Sequence, residues 1–220
     1  MFRGLLSGRV YGTLLSHRAA YDALKPMMPQ PPYGGAPKAP VLFIKPRNTL
    51  ANGGDAVVVP AGVDELEVRA CLGIVIGQPA CHVTKERARD VVGGYVIVND
   101  VSVPHADYYR PAIRMKCRDG FCPIGPSVVP STRVDDPGAL ELQVFVDGRL
   151  QSSASTADLV SPIEQILSDV TEFMTLSPGD VLAIGVGFPP TRVRAGQVVR
   201  IVVDNIGTLE NPFTAEGVRR

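Results

Sequence analysis

The sequence is poor in residues on which several common kinds of site depend. Its 220 residues contain no tryptophan, and its three histidines, His17, His82 and His105, lie far apart. Its four cysteines form no C-x-x-C pair, so the spacing does not predict a zinc site. We expect these thiols to be reduced in a cytoplasmic protein.

The chain also lacks an excess of charge and any long apolar run. Its 22 lysine and arginine residues balance 22 aspartate and glutamate residues, which gives a formal net charge of zero. This balance predicts no general attraction to nucleic acid or to a membrane surface. No run approaches the ~18 apolar residues of a membrane span, and the first ten residues lack the apolar core of a signal peptide. We therefore expect a cytoplasmic location.

Short apolar runs separated by turn residues dominate the chain, which has 22 glycines and 20 prolines. The runs Leu72–Ile76 and Tyr95–Val98 predict buried strands. Helices are predicted over Thr84–Val92, with a threonine N-cap, and over Pro162–Met174, with one apolar face. Strands and helices do not alternate as in a doubly wound sheet. The expected fold is mainly β with a few helices.

Residues 26–40 are rich in proline and predict an extended connector rather than a helix. This composition favours a boundary between a small N-terminal segment, residues 1–40, and a main domain, residues 41–220.

The stretch from Arg114 to Pro126 contains Arg114, Lys116 and Arg118 among glycines, prolines and cysteines. Its composition predicts an irregular, rigid loop, because proline restricts the backbone and glycine permits tight turns. A rigid cationic loop is suited to binding a small di- or tricarboxylate. A surface loop with solvated charges explains the same composition.

Seven segments along nearly the whole chain match one known family, and they occur in the same order as in that family. They are Phe43 to Pro46, Leu72 to Gly77, Gly94 to Ser102, Lys116 with Cys122 to Pro126, Val146 to Gln151, Leu176 to Val181 and Ile206 to Asn211. With these segments the sequence resembles the fumarylacetoacetate hydrolase superfamily. The segment from Lys116 to Pro123 resembles most the N-terminal half of the bifunctional isomerase/decarboxylases of homoprotocatechuate (4-hydroxyphenylacetate) degradation.

The resemblance implies a twisted β-roll and an oligomeric enzyme. The implied substrate is 5-oxopent-3-ene-1,2,5-tricarboxylate or its decarboxylated product, 2-hydroxyhepta-2,4-diene-1,7-dioate. The chain is then a decarboxylase/isomerase subunit, forming a homo-oligomer or a hetero-oligomer with a paralogous isomerase subunit. The alternative is a catalytically silent half that supports such a paralogue.

The resemblance also implies Mg²⁺ or Mn²⁺ held by three carboxylates. Asp100 matches one of these ligands, whereas Arg69 and Cys71 occupy the positions of the two glutamates. Arginine cannot ligate a cation, and a thiol is a poor ligand for Mg²⁺. Arg69 is expected either to bind a substrate carboxylate or to form a salt bridge with Asp100. A third hypothesis uses Glu65, Glu67 and Asp100 as ligands.

Other roles come from the same resemblance. Lys116 matches an active-site lysine, with a solvated lysine as the alternative. Lys45 matches a residue that lines the site or supports it. Gln151 and Thr156 match a pair that flanks the ligand, although both residue types also cap turns. Arg114 is assigned to substrate binding with the cationic loop.

Two histidines are candidate proton carriers. His17 matches a histidine that orders with a lid helix and moves a proton in relatives, and a helix-surface histidine is the alternative. The glutamate that relatives place three residues later is Ala20 here, so a His-Glu dyad is not available. His105 is positioned to donate a proton to the dienolate or to lie in an exposed loop.

Overall fold

The computed structural model describes residues 6, 9–31, 34–105, 112–185 and 187–217. Strand accounts for 43% and helix for 22%, which confirms the expected mainly β class. The strands are β1 (Val10–Leu14), β2 (Val41–Lys45), β3 (Leu50–Ala51), β4 (Val57–Val59), β5 (Leu66–Ile76), β6 (Val92–Ser102), β7 (Cys122–Pro130), β8 (Glu141–Val146), β9 (Arg149–Ser155), β10 (Val181–Gly185), β11 (Thr191–Val193), β12 (Val198–Val203) and β13 (Gly207–Ala215). The α-helices are α1 (Arg18–Leu24), α2 (Ile113–Lys116) and α3 (Ile163–Phe173).

The described strands form two sheets. The larger has the order β2-β1-β10-β5-β6-β7-β3, with β11 also paired to β5. The smaller has the order β4-β13-β12-β8-β9. Since β1 pairs with both β2 and β10, the segment before residue 41 supplies an internal strand to the sheet of the main domain.

Helix α3 packs through one apolar face, as its sequence predicts. Ile163, Ile166, Leu167 and Val170 are buried and join the main hydrophobic core. Among the described residues, no helix has the length and apolar character needed to cross a membrane.

Strands β5 and β6 form the long antiparallel ladder that carries the polar residues of interest. The predicted runs Leu72–Ile76 and Tyr95–Val98 are their apolar portions, but each strand extends to 11 residues. In this ladder Glu67 lies opposite Ser102, and Arg69 lies opposite Asp100. Because side chains alternate along a strand, these residues share one face while Val68 and Val101 enter the core behind them.

The helix predicted over Thr84–Val92 is a 3-10 helix over Lys85–Val91. The Thr84 side chain makes no hydrogen bond that caps the helix. Ala88 and Val91 are its buried residues. Their spacing of three matches a three-residue turn and does not extend into the longer stripe that an α-helix requires.

The stretch from Arg114 to Pro126 is more regular than its composition predicts. Its first residues belong to α2, and it enters β7 at Cys122. Pro126 is tolerated within β7 because it lies where the pairing with β6 is interrupted, between the Tyr95–Val129 and Ile97–Gly125 pairs. The irregular part is limited to residues 117–121.

Candidate functional site

Asp100 lies at the centre of a buried cluster of charges. Its Oδ2 accepts a hydrogen bond from the Lys116 ammonium at 2.6 Å, and its Oδ1 lies 2.9 Å from the Lys45 ammonium. Asp100, Lys45 and Lys116 are 2%, 1% and 2% exposed. The charge of Asp100 is therefore held by two cations in a region shielded from water.

Lys45 joins three segments of the chain at this point. Its ammonium donates to the carbonyl oxygens of Val101, Lys116 and Phe121 at 2.6, 2.9 and 2.8 Å. An ammonium has three protons. Asp100 Oδ1 therefore gains a neighbouring positive charge without a hydrogen bond. Within the part of the chain that the structure describes, it is a buried acceptor with no donor.

Lys116 ends α2 with its ammonium between Asp100 and an aromatic ring. The nitrogen lies 4.3 Å from the centre of the Phe43 ring. Burial lowers the pKa of Lys116 despite the adjacent Asp100 carboxylate. Burial alone would raise the pKa of Asp100, but Lys116, Lys45 and Arg69 together hold it well below its usual value. Asp100 is thus a fixed anion rather than a general base.

Arg69 lies opposite Asp100 in the ladder, but its ion-pair partner is Glu67. Arg69 Nη2 donates to Glu67 Oε2 at 3.1 Å, and the other oxygen of Glu67 lies 3.0 Å from Arg192 Nη2. Glu65 pairs with Arg192 and with Arg194, both at 3.5 Å. The carboxylates of the Glu-x-Glu motif are therefore engaged by arginines.

A small cavity of ≈ 40 Å³ opens on the same face of the sheet. Its polar lining includes Thr13, His17, Arg69 and Asp100. Lys45 and Lys116 are not among the residues that line it, so in this conformation they act on the cavity through Asp100.

His17 supplies a neutral base to this cavity. It precedes α1 and is only 7% exposed, and neither of its ring nitrogens has a hydrogen-bond partner among the described residues. Burial lowers the pKa of His17, while the charge of Asp158 opposes this shift and that of Arg18 adds to it. An imidazole that is neutral at pH 7 can take up a proton from a bound molecule.

The donor set around Asp100 does not fit a divalent cation. Within the described residues, no group of three or more histidine, cysteine, aspartate and glutamate side chains could hold a metal ion. Both oxygens of Asp100 face lysine ammonium groups, and Arg69 faces it across the ladder. Burial and Asp100 raise the pKa of the Cys71 thiol, which disfavours the thiolate needed for ligation.

The structure does not bring four other candidate residues into the cavity. Arg114 is exposed on α2, and Gln151 is exposed on β9 in the smaller sheet. The Thr156 hydroxyl donates to the Pro137 carbonyl at 2.8 Å and accepts from the Leu140 amide at 2.9 Å. His105 Nδ1 lies 2.9 Å from the Val103 carbonyl oxygen. The contacts of Thr156 favour the turn-stabilising alternative.

Sequence reasoning missed the contributions of Phe43, Glu67 and Arg192. Glu67 was visible as part of a Glu-x-Glu motif, but its arginine partners were not. Arg192 lies 125 positions further along the chain and meets Glu67 through the pairing of β11 with β5. No local pattern predicts that contact.

Comparisons with known proteins agree with this architecture. The profile of the fumarylacetoacetate (FAA) hydrolase C-terminal family matches residues 9–214. The 4-hydroxyphenylacetate degradation bifunctional isomerase/decarboxylase of Salmonella dublin is 39% identical over 211 residues, which is 96% of this chain and 48% of that protein. The chain thus spans about half the length of this relative.

Two solved structures extend the comparison. The 5-carboxymethyl-2-hydroxymuconate delta-isomerase of Mycobacterium smegmatis superposes with a TM-score of 0.83 at 31% identity, covering 97% of this chain and 81% of that one. The maleylpyruvate hydrolase of Sphingobium sp. SYK-6, in complex with manganese(II) and pyruvate, gives a TM-score of 0.76 at 28% identity, covering 95% and 71%.

These likenesses confirm the predicted twisted β-roll and the predicted relationship to the isomerase/decarboxylases. With the profile matching almost the entire chain, this protein belongs to the fumarylacetoacetate hydrolase family.

Proposed function

We propose that the chain is a decarboxylase/isomerase subunit of homoprotocatechuate catabolism. Its substrate is 5-oxopent-3-ene-1,2,5-tricarboxylate or 2-hydroxyhepta-2,4-diene-1,7-dioate. The names of the Salmonella and Mycobacterium relatives support this class of reaction. The observation that carries the proposal is the cavity beside the Lys45–Asp100–Lys116 cluster. It is lined by the Arg69 guanidinium and by the neutral His17 imidazole, which has no hydrogen-bond partner among the residues described.

Both reactions pass through a dienolate whose negative charge the protein must hold. In decarboxylation a carbon–carboxylate bond breaks, carbon dioxide leaves, and the electron pair enters the system conjugated with the oxo group. The oxo oxygen then takes up a proton from water and becomes the 2-hydroxyl group. In isomerisation a proton leaves one position of that system and another carbon takes one up. The Arg69 guanidinium binds a carboxylate of the substrate, and His17 removes and returns the proton. Asp100 Oδ1, which accepts no hydrogen bond from the described residues, accepts one from the hydroxyl of the 2-hydroxydiene product.

We further propose that the chain works without Mg²⁺ or Mn²⁺, because two of the expected ligand positions hold Arg69 and Cys71. Lys45, Lys116 and Arg69 provide fixed positive charge in place of a cation. Activity that persists in a chelator, with no divalent ion in the purified protein by metal analysis, is the expected result. Loss of activity in chelator, recovered with Mg²⁺, would contradict it.

Substrate entry requires the wall of the cavity formed by α1 to move. A cavity of ≈ 40 Å³ has room for a few water molecules but not for a seven-carbon dioate. His17, Ala20 and Leu24 contribute to this wall, and no residue of α1 is buried. A helix with no buried side chain is held by few contacts and can shift at little cost.

Turnover of the tricarboxylate tests the proposal directly. The purified chain is assayed alone and mixed with a paralogous isomerase subunit, following loss of the substrate and release of carbon dioxide. Turnover in either condition supports the proposal, and its absence in both would reject it.

The second candidate is a catalytically silent half that supports a metal-binding paralogue. It is favoured by the saturated contacts of Lys45 and by the small volume of the cavity. Arg69→Glu combined with Cys71→Glu separates the two candidates. A silent scaffold gains metal binding and still supports its paralogue, whereas an active subunit loses its turnover.

The proposal includes assembly into an oligomer with itself or with the paralogous subunit, and a cytoplasmic location. Analytical ultracentrifugation of the chain alone and of the mixture distinguishes the two assemblies. A monomer in both samples would contradict this part of the proposal.

A further inference from the structure

Glu67 is a buried carboxylate to which the proposed chemistry gives no role. It is 4% exposed, and each of its oxygens faces a different arginine: Oε2 meets Arg69 and Oε1 meets Arg192. A buried carboxylate is costly unless it is paired and hydrogen-bonded. Glu67 meets that condition through these two arginines.

The three residues form a chain that leads from the surface to the cavity. Considering side chains alone, that of Arg192 is 45% exposed, that of Glu67 is 6% exposed and that of Arg69 is 14% exposed. Arg192 and Glu67 lie opposite each other in the pairing of β11 with β5, and Glu67 precedes Arg69 by two positions on β5. Residues two apart on a strand share a face, so both contacts are set by regular backbone geometry.

The contact with Glu67 restricts the orientation of the Arg69 guanidinium. An unrestrained arginine samples many rotamers, whereas a guanidinium held at one nitrogen presents its remaining donors in a fixed plane. The contact at Nη2 uses one of five N–H donors. The guanidinium can therefore bind a carboxylate in the cavity while it remains paired with Glu67.

We propose that Glu67 is a positioning residue for Arg69, and that Arg192 fixes Glu67 in turn. The class of ligand selected is a molecule with a terminal carboxylate that reaches Arg69. This inference rests on the proposed function, which assigns substrate binding to Arg69. It adds two residues that act through Arg69 without touching the substrate.

The test compares Glu67→Gln with Glu65→Gln, a matched control that removes a carboxylate whose ion pairs within the described residues are with Arg192 and Arg194. Heptanedioate, a saturated analogue of the proposed product, is titrated by calorimetry, and KM and kcat are measured with the tricarboxylate. Glu67→Gln is expected to raise Kd and KM about tenfold with kcat within about threefold, because the lost order of Arg69 affects binding of the carboxylate. Glu65→Gln is expected to change both constants less than about twofold.

Two further variants separate positioning from a purely structural role. Arg69→Gln combined with Glu67→Gln is expected to bind heptanedioate no more weakly than Arg69→Gln alone, because Glu67 acts through Arg69. Arg192→Gln tests the same positioning role if Glu67→Gln fails to fold, because Arg192 is half-exposed and its replacement is expected to be tolerated. We expect it to raise Kd about threefold, since Glu67 keeps one arginine partner.

The outcomes distinguish this inference from the proposed function. If Arg69→Gln weakens heptanedioate binding but neither Glu67→Gln nor Arg192→Gln does, only the positioning role is overturned. Additive losses in the double variant overturn it as well. If Arg69→Gln itself leaves binding unchanged, the assignment of Arg69 in the proposed function fails, and the positioning role fails with it.

Discussion

The buried charges of Asp100, Lys45 and Lys116 stabilise one another only while all three are present. The Asp100 carboxylate is held by Lys116 through a 2.6 Å hydrogen bond and by the charge of Lys45 at 2.9 Å. Removing one member of a buried ion pair leaves an uncompensated charge, which costs more than the pair itself contributes. The cluster is thus a sensitive point for stability as well as for the proposed binding of acids.

Lys116→Met is expected to lower the free energy of unfolding by about 3 kcal/mol, because it leaves Asp100 Oδ2 without a donor. Chemical denaturation measures the change, with the exposed Lys85→Met as a control expected to stay within about 0.5 kcal/mol. The double variant Lys116→Met with Asp100→Leu is expected to lose less than the sum of the single losses. Strict additivity would show that the two groups do not interact.

His17 has a predictable effect on the pH dependence of activity. Its pKa is lowered from the ordinary value of 6.5, mainly by burial, so the ring is neutral at pH 7 and becomes protonated only at a lower pH. If His17 moves the proton, kcat/KM is constant near pH 7 and falls as the pH drops through the lowered pKa. His17→Gln is expected to reduce kcat by about 100-fold and to remove this acidic limb.

The control for His17 is His82→Asn, at an exposed residue with a φ of 48° that asparagine tolerates. This variant is expected to keep both the rate and the pH profile. The lowered pKa also predicts that the free energy of unfolding decreases as the pH falls below 6.5, because the unfolded chain binds the proton first. An unchanged acidic limb in His17→Gln would assign that limb to another group.

At the scale of secondary-structure elements, the pairing of β1 with β2 holds Phe43 in the position from which it contacts Lys116. Gly12 and Phe43 lie opposite each other, and a Cβ at position 12 would lie 2.1 Å from Phe43 Cζ. The ring occupies the space that a side chain would need and is the ring that contacts Lys116. Glycine at position 12 therefore permits the position of Phe43.

Gly12→Ala is expected to destabilise the protein by about 1–3 kcal/mol, because Phe43 must leave its position. Combining it with Phe43→Leu removes the ring and is expected to recover part of the loss. Gly53→Ala is a control, since its Cβ would meet Leu209 at an ordinary 3.4 Å. Thermal unfolding compares the variants, and equal effects of Gly12→Ala and Gly53→Ala would contradict the predicted clash.

For the whole molecule, the position of β1 makes residues 1–40 and 41–220 interdependent. β1 lies between β2 and β10, and Val10 and Thr13 are 2% and 3% exposed. Loss of an internal strand leaves unpaired backbone groups on both neighbours and exposes the core beneath it.

A truncated chain beginning at Val41 is therefore expected not to fold cooperatively. Circular dichroism and thermal unfolding of residues 41–220 test this, with the full chain as the reference. A sharp transition in the truncated chain, at a temperature close to that of the full chain, would show that the N-terminal segment is an independent appendage.

Much of the architecture was predictable, because apolar periodicity and turn residues act locally. The runs at Leu72 and Tyr95 identified the central ladder, and the stripe from Ile163 identified α3. Local patterns failed where a strand carries charged residues, as at Glu67 and Arg69. They also failed at residues 85–91, where burial at intervals of three gives a 3-10 helix.

By itself the sequence determined the mainly β class, the family, and Lys45, Asp100 and Lys116 as candidate site residues, since these depend on short motifs that follow one another in order along the chain. Only the tertiary structure decided which charges meet. It placed Lys45 and Lys116 on Asp100, and Arg192 and Arg69 on Glu67. The physical reason is that strand pairing and burial join residues far apart in the chain, and only burial makes their charges depend on one another.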